Sequence, residues 1–447
     1  MKKVITYGTY DLLHQGHINL LRRAKELGDY LIVGVTSDSF DRGRGKLNVR
    51  NNVLERVEAV KATGYADKII IEDYVGQKID DIQKYDVDIF AIGSDWEGLF
   101  DYLNEFTKVV YLPRTQGISS TMLRAESTTD VRVGIVGCGR IAKRFPLEAD
   151  VVNGIIITAA FDTDMGAMVD FTRAFKDVKA CGTFENMLEN VDAVYVATPH
   201  LSHYDYIKKS IEAGKHVLCE TPMVLQGTQA KELFELAEQK DVILMEANKT
   251  AHCPAFNHLM VMVKSGVIGE VVDIEASVSQ LLDKSGREFD SFQAGGALFE
   301  QGSTVLLPIF KLMGINYKNL NLYSRMENGV DIHTKGVFRY DHAVCSFKAG
   351  LGVKTEGNLV ISGTKGYAYV PAPWWKTDYF ELRYEDQNKN QKYFYKWDGE
   401  GLRYEIQEFI SCIINHRFST ARLRRRESIQ MANVMQQFIN KQNLIEI

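Results

Sequence analysis

Apolar and polar positions change their spacing twice along the chain. Over residues 1–128, short apolar runs alternate with amphipathic stretches. The runs are VITYGTY (4–10), YLIVGVT (30–36), KIIIE (68–72), DIFAIG (88–93) and VVYLP (109–113). Between them lie helical patterns: HINLLRRAKEL (17–27), NVLERVEAVKA (52–62) and GQKIDDIQKY (76–85). Such alternation predicts a parallel sheet with helices on both faces. Ser127–Asp130 is polar and without period, and marks a boundary. A second series begins at VRVGIVG (131–137) and runs through IIITAAF (155–161), AVYVAT (193–198), HVLCE (216–220) and VILMEA (242–247). Helical segments at 164–176, 200–214 and 226–240 separate these runs, giving a second doubly wound unit. After about residue 267 the period shortens to two and aromatics become frequent, as in EVVDIEASVSQ, IHTKGVFRY, AVCSFKAG and NLVISGTKGYAYV. That pattern predicts a mostly antiparallel sheet with one covered face, closed by helices near 402–416 and 426–441. The expected class is therefore α/β. A Rossmann-like domain spans 1–128, a second Rossmann domain 129–250, and an α+β open antiparallel sheet domain 251–447.

Composition narrows the chemistry. With 447 residues there is chain for about three cores. Fifty-three basic against 58 acidic side chains give a net charge of −5, so nothing favours general nucleic-acid binding. An anion must be held locally, by helix N-termini and a few placed cations. No stretch approaches the ~20 apolar residues that span a bilayer, and no membrane partner is expected. The six cysteines are scattered, with no C-x-x-C pair, which fits buried thiols in a cytoplasmic protein.

The first candidate site is GTYDLLHQGHINLL, with His14 and His17 between the first strand and the first helix. Phosphates bind there in a doubly wound sheet, over the N–H groups of the helix start. Gly16 permits close backbone approach, and Thr9 and Tyr10 precede it as further nucleotide-binding candidates. Two imidazoles three residues apart can donate hydrogen bonds to a triphosphate and stabilise charge on a phosphoryl group in transfer. Two histidines alone make a poor metal site. VVYLPRTQGISSTMLR supplies Arg114, Thr115, Ser119, Ser120 and Thr121 as a second anion cradle. Lys46 stands in a basic loop with Arg42, Arg44 and Arg50, and Asp95 ends the fourth strand within reach of a substrate hydroxyl.

The stretches KKVITYGTYDLLHQGHINLLRRAKELGDYL, GSDWEG and VVYLPRTQGISST cover the first 126 residues. They resemble the glycerol-3-phosphate cytidylyltransferase family of the H-x-G-H nucleotidyltransferases. The resemblance implies that CTP and a polyol phosphate give a CDP-polyol and pyrophosphate, with Mg2+ accompanying CTP. It matches His14 and His17 to the signature histidines, Lys46 to a triphosphate contact, and Arg114 through Thr121 to the second signature. One position departs: where the family carries an Arg before Tyr-Val-Asp, this chain has Gly64, in TGYAD. Arg56 or Arg50 is expected to compensate, and phosphocholine or phosphoethanolamine stays open as the acceptor. A phosphate monoester is already ionised near neutral pH, so the chemistry asks for cations and positioning rather than a general base.

The second site is GIVGCGRIA (134–142), a G-x-G-x-x-A turn directly after a strand. Gly137, Gly139, Arg140 and Ile141 would lie along a dinucleotide. Asp162, 25 residues beyond Gly137, sits where a ribose-binding carboxylate is expected. An Asp there favours NAD over NADP. Residues 131–447 resemble the Gfo/Idh/MocA oxidoreductases, most clearly over AVYVATPHLSHYDYIKKSIEAGKHVLCETP (193–222). The resemblance implies hydride transfer at a sugar or polyol carbon, Thr198 and His203 beside the cofactor, and an open sheet that joins copies into a homo-oligomer. Glu220-Thr221-Pro222 stands where that family has Glu-Lys-Pro. Glu300 and Thr304 replace its usual Asp and His. Lys249 and His252, after the next strand, could supply the missing proton chemistry, because carboxyl ends of neighbouring strands share one crevice. His200 and His203 are read as capping or cofactor-lining, RLRRRE (422–427) as a solvated helix entry, and Trp374-Trp375 as sheet or interface packing. The expectation is a bifunctional enzyme: reduction of a keto- or aldo-phosphate or sugar, then activation of the polyol phosphate with CTP. The alternative is a cytidylyltransferase with a non-catalytic NAD-binding module.

Overall fold

In the computed structural model the described residues are 1–43, 49, 51–74, 76–113 and 130–447. They fall into two units, one built on Met1–Asp130 and one on Val131–Asp150 with Ile155–Ile447. The first holds a parallel sheet of β1 (Lys3–Gly8), β2 (Tyr30–Thr36), β3 (Lys68–Glu72), β4 (Ile89–Gly93) and β5 (Lys108–Leu112) in the order β3-β2-β1-β4-β5. Each strand is apolar on both sides because both sides are covered. Val4 and Val33 pack with Leu21 and Ala24 of α1 (Gln15–Lys25), while Ile5 and Ile32 pack on the other face with Phe90 and Leu103. The strand order reverses at β1 and β4, so the crevice beyond their carboxyl ends is the place for a ligand.

A buried arginine ties that crevice together. Arg56 lies on α3 (Val53–Ala62), after α2 (Asp38–Gly43), and is 1% exposed. Its guanidinium donates to the carbonyls of Thr9 (2.8 Å), Thr36 (2.9 Å) and Asn51 (2.9 Å). It also reaches the carboxylates of Asp38 (2.5 Å) and Asp41 (3.3 Å). The planar fork suits so many acceptors at once. Arg56 is thus a strut between strand ends and cannot stand in for a phosphate-binding cation. The other proposed substitute, Arg50, lies outside the described residues. Gly64, at φ +72° just past α3, is the left-handed residue that ends that helix. An arginine would be strained there.

In the second unit β6 (Val131–Val136), β7 (Ile155–Phe161), β8 (Lys179–Ala180), β9 (Ala193–Val196), β10 (His216–Glu220) and β11 (Leu244–Ala247) form a parallel sheet ordered β11-β10-β9-β6-β7-β8. Nine further strands make the last sheet: β12 (Val271–Ser279), β13 (Asn319–Glu327), β14 (Val330–Arg339), β15 (Val344–Gly350), β16 (Leu359–Gly363), β17 (Tyr367–Val370), β18 (Tyr379–Arg383), β19 (Gln391–Phe394) and β20 (Leu444–Glu446). Its order is β19-β18-β17-β16-β12-β15-β14-β13-β20. The sheet is mixed rather than simply antiparallel, because β12 pairs parallel with β15 and β13 with β20. The helix α4 (Ala297–Met313) packs against β12, β14 and β15 and covers one face, as expected.

The two sheets of this unit share helices. α5 (Leu402–Ile414) follows the last hairpin, and Arg403 grips Glu148 of the nucleotide-binding half at 2.9 and 3.0 Å. α6 (Arg425–Ile439) packs on both α4 and the helix Gly227–Gln239. At Gly227 a Cβ would lie 1.7 Å from the Asn433 side-chain oxygen, so a larger residue there requires that amide to move. All six cysteines are buried thiols without disulfides. No helix among the described residues is long and apolar enough to cross a membrane.

Replacing Arg56 with Ala leaves the fully buried Asp41 carboxylate without its guanidinium, and should destabilise the first unit by about 3–5 kcal/mol. A urea titration followed by circular dichroism should show an earlier first transition. Coincident curves for variant and parent would remove the strut.

Candidate active sites

The turn after β1 is built for the two histidines. Tyr10 (φ +54°) and Leu12 (φ +45°) both adopt the left-handed conformation, which side chains other than Gly rarely take. The Tyr10 ring folds back against Gly8, where a Cβ would come within 2.9 Å of it. His14 caps α1, and its Nδ1 accepts the Gly16 N–H at 3.1 Å, so Nε2 carries the ring proton and can donate. The His14 and His17 rings stack with centroids 3.9 Å apart, and Tyr10 meets His17 edge-on at 5.6 Å. Both imidazoles are half-buried at the N-terminus of an eleven-residue helix. Backbone N–H groups and two ring donors therefore converge where the strand order reverses.

Thr9 and Tyr10 serve this turn from beneath rather than lining it. Thr9 is 6% exposed with its hydroxyl on Asp41 (3.2 Å), and Tyr10 is 2% exposed. Burial pushes the Tyr10 phenol up, so it stays neutral. Asp95 lies in the short turn Ser94–Trp96 after β4, next to β1. Lys46, Arg114, Thr115, Ser119, Ser120 and Thr121 lie outside the described residues. Among the described residues no three His, Cys, Asp or Glu side chains gather as a metal site.

In the second unit Gly137 has φ +87°, and a Cβ there would lie 2.6 Å from the Ala197 carbonyl. Only glycine turns so tightly between β6 and β9. Gly139 has open space beside it, which a cofactor backbone could fill. The Asp162 carboxylate accepts the N–H groups of Cys138 (2.6 Å) and Asp164 (2.8 Å), which fixes it beside the glycine turn. Arg140 is exposed, with Glu288 3.8 Å away. These features fit a dinucleotide.

His203 is fully buried and spans the Thr198 carbonyl (2.7 Å) and the Pro222 carbonyl (2.9 Å). It fixes two loops that flank the cofactor position and has no surface to offer the cofactor. Burial pulls its basicity down. His200 is pushed down to about 3 by burial and by the neighbouring His203 and Arg287. It lies 3.6 Å from Glu300, whose carboxylate Arg287 holds at 2.8 Å. Glu300 is thus tied up, and its charge is not offered to a substrate.

A cleft of about 70 Å³ is lined by Ile141, Glu220, Thr221, Lys249, Thr304 and Glu405, together with the Trp375 segment. Lys249 therefore does share the space beside Thr221. Glu220 accepts the Tyr195 hydroxyl. Burial raises its carboxyl, and both that bond and the Lys249 charge oppose the rise. His252 does not join them. It is fully buried, with both ring nitrogens lacking partners, so its proposed proton role fails for want of access. Trp374 packs in the core and donates to the Ser277 carbonyl at 2.9 Å, while Trp375 lines the cleft. Arg425 of RLRRRE meets Glu238 as a solvated pair, but Arg422 pairs with the largely buried Glu408, and Leu423 and Glu427 are buried, so the run is only partly a solvated entry. Glu405, buried on α5, is the cleft residue that sequence reasoning missed.

Comparison with known proteins follows this division. The cytidylyltransferase-like family matches residues 5–126, and the Gfo/Idh/MocA oxidoreductase family, with an NAD-binding Rossmann fold, matches residues 131–248. Glycerol-3-phosphate cytidylyltransferase of Staphylococcus aureus is 51% identical over 126 residues, 28% of this chain and 95% of that protein. Trans-1,2-dihydrobenzene-1,2-diol dehydrogenase of Oryctolagus cuniculus is 28% identical over 292 residues, 62% of this chain and 88% of that protein. The 3-ketoreductase KijD10 of Actinomadura kijaniata, solved with NADP and TDP-benzene, shares the fold. Its TM-score is 0.65 at 21% identity, over 71% of this chain and 99% of that one. The chain belongs to the cytidylyltransferase-like family through its first unit, and joins to it an oxidoreductase domain of the Gfo/Idh/MocA family.

Proposed function

We propose that the chain is a bifunctional enzyme that makes a CDP-polyol. The first unit transfers a cytidylyl group from CTP to glycerol 3-phosphate or a similar polyol phosphate. The second reduces the related keto- or aldo-phosphate, or a sugar, with a reduced nicotinamide. One site's product is then the other's substrate. The observation that carries the first half is the stacked His14–His17 pair over the α1 N-terminus at the strand-order reversal.

An oxygen of the acceptor phosphate attacks the α-phosphorus of CTP, the bond to the β-phosphate breaks, and pyrophosphate leaves. His14 and His17 donate to phosphate oxygens as negative charge builds. Lys46 and Arg114, with Thr115, Ser119, Ser120 and Thr121, are assigned the same anion-holding work on the strength of their motifs. Asp95 is assigned to an acceptor hydroxyl.

In the second unit Gly137, Gly139, Arg140 and Ile141 would border the dinucleotide, with Thr198, Glu220 and Thr221 further along it. Asp162 would take the ribose hydroxyls, which favours NAD over NADP. When bound, the cofactor supplies hydride to a carbonyl carbon. Lys249 holds the proton that the carbonyl oxygen must receive. Its place in one cleft with Thr221 supports that role.

His17→Ala should cut pyrophosphate release from CTP and glycerol 3-phosphate about 10²–10³-fold and leave NADH binding unchanged. Retained CTP turnover would sink the first assignment. Lys249→Ala should lower NADH oxidation with dihydroxyacetone phosphate or ketopentose phosphates about 10²–10⁴-fold while NADH still binds. An unaffected variant, or no turnover by the parent with any carbonyl compound, favours the non-catalytic module. Asp162→Ser should improve NADPH binding relative to NADH by at least ~10-fold, read by fluorescence titration. An unchanged ratio would remove Asp162 from the ribose.

A further inference from the structure

The reductase cleft holds more carboxyls than it can ionise. Glu220 and Glu405 line it with a single ammonium, Lys249. Ionising both carboxyls would leave a net negative charge out of water, while protonating one makes the set neutral. The two are not equivalent. Glu220 accepts the Tyr195 hydroxyl and the Thr221 N–H, both of which favour a carboxylate. Glu405 is 1% exposed, and its Oε2 has no hydrogen-bond partner.

The groups that act on Glu405 agree with this. Burial raises it well above the usual carboxyl range, Glu220 raises it further, Lys249 opposes, and Glu148 adds to the rise. Glu148 is already held by Arg403, so that guanidinium is not spent on Glu405. Tyr195, which shares the Glu220 carboxylate, is itself raised by burial and stays neutral.

We propose that Glu405 is a positioning residue that stores the reaction's proton behind Lys249. This rests on the reductase reading above. As hydride from the reduced nicotinamide forms the new C–H bond, the carbonyl π pair moves to oxygen. That oxygen takes a proton from the Lys249 ammonium, and Glu405 passes its own proton to the amine. The cleft ends with Glu405 ionised and Lys249 charged, and water restores the acid when the product leaves. The pair replaces the one lysine missing at Thr221, with its second member supplied by a distant helix.

The test compares Glu405→Gln and Glu220→Gln in the full-length protein. Infrared difference spectra without cofactor, near pH 7, should show the carbonyl stretch of a protonated acid that Glu405→Gln removes and Glu220→Gln keeps. Loss in the Glu220 variant instead, or in neither, overturns the assignment whatever the reductase activity. The protonated acid favours the fold below the unfolded carboxyl value near 4.5, and that stabilisation is lost as pH rises through the raised folded value. Melting temperature should therefore fall with rising pH more steeply in the parent than in Glu405→Gln. In turnover, Glu405→Gln should leave the KM for NADH unchanged, lower kcat about 100-fold, and flatten the alkaline limb of the kcat profile, with partial rescue by Glu405→Asp. An unchanged pH profile would make Glu405 merely structural. If the parent reduces nothing while the infrared result holds, the reductase reading has failed and the protonation of Glu405 has not.

Discussion

A parallel strand cannot be followed directly by its neighbour; the chain must first return along the sheet. That constraint shapes both halves of this molecule. Every strand of β1–β5 and of β6–β11 delivers its carboxyl end to one edge, so loops from strands far apart in sequence meet there. The stacked imidazoles after β1 and the Glu220–Lys249 cleft after β10 and β11 are two uses of that edge. A returning helix gives the first edge an N-terminus for an anion, while α5, from beyond the wide sheet, gives the second a buried wall for a proton.

The two edges carry opposite electrostatics. The first gathers donors, and its buried carboxylates are consumed internally: Asp38 and Asp41 answer Arg56. The second is crowded with carboxyls, at Glu220, Glu300 and Glu405, and manages them one at a time. Glu300 takes Arg287, Glu220 takes a phenol, and Glu405 is left as the neutral acid. Charge compensation in the first unit fixes geometry; incomplete compensation in the second makes a proton available.

Much of the architecture was legible because strands buried on both faces read as unbroken apolar runs. YLIVGVT, KIIIE, IIITAAF and HVLCE coincide with β2, β3, β7 and β10 residue for residue. The last sheet was harder. NLNLYSRME carries polar groups on both faces and forms β13 without announcing itself, and β20 is three residues long. The parallel pairing of β12 with β15 follows from α4 crossing between them, a tertiary fact that alternation does not encode. At the sites, motif residues were found where spacing is short: His14 with His17, and Gly137 with Gly139. Side-chain fate was not legible. Arg56 looks like any helical cation and is a buried strut. His252 sits three residues from Lys249 yet faces the interior. Glu405 lies far from every motif and enters the cleft only because α5 folds back onto the nucleotide-binding half.

The close approach of Asn433 to Gly227 also bears on synthesis. The helix that seals the nucleotide-binding half against the wide sheet is made long after Gly227, and residue 439 must clear the ribosome before that seam can form. The cytidylyltransferase unit has a sheet and apolar cores of its own, and can mature while the oxidoreductase nascent chain waits open. Chaperone demand during translation therefore falls mainly on the second enzyme.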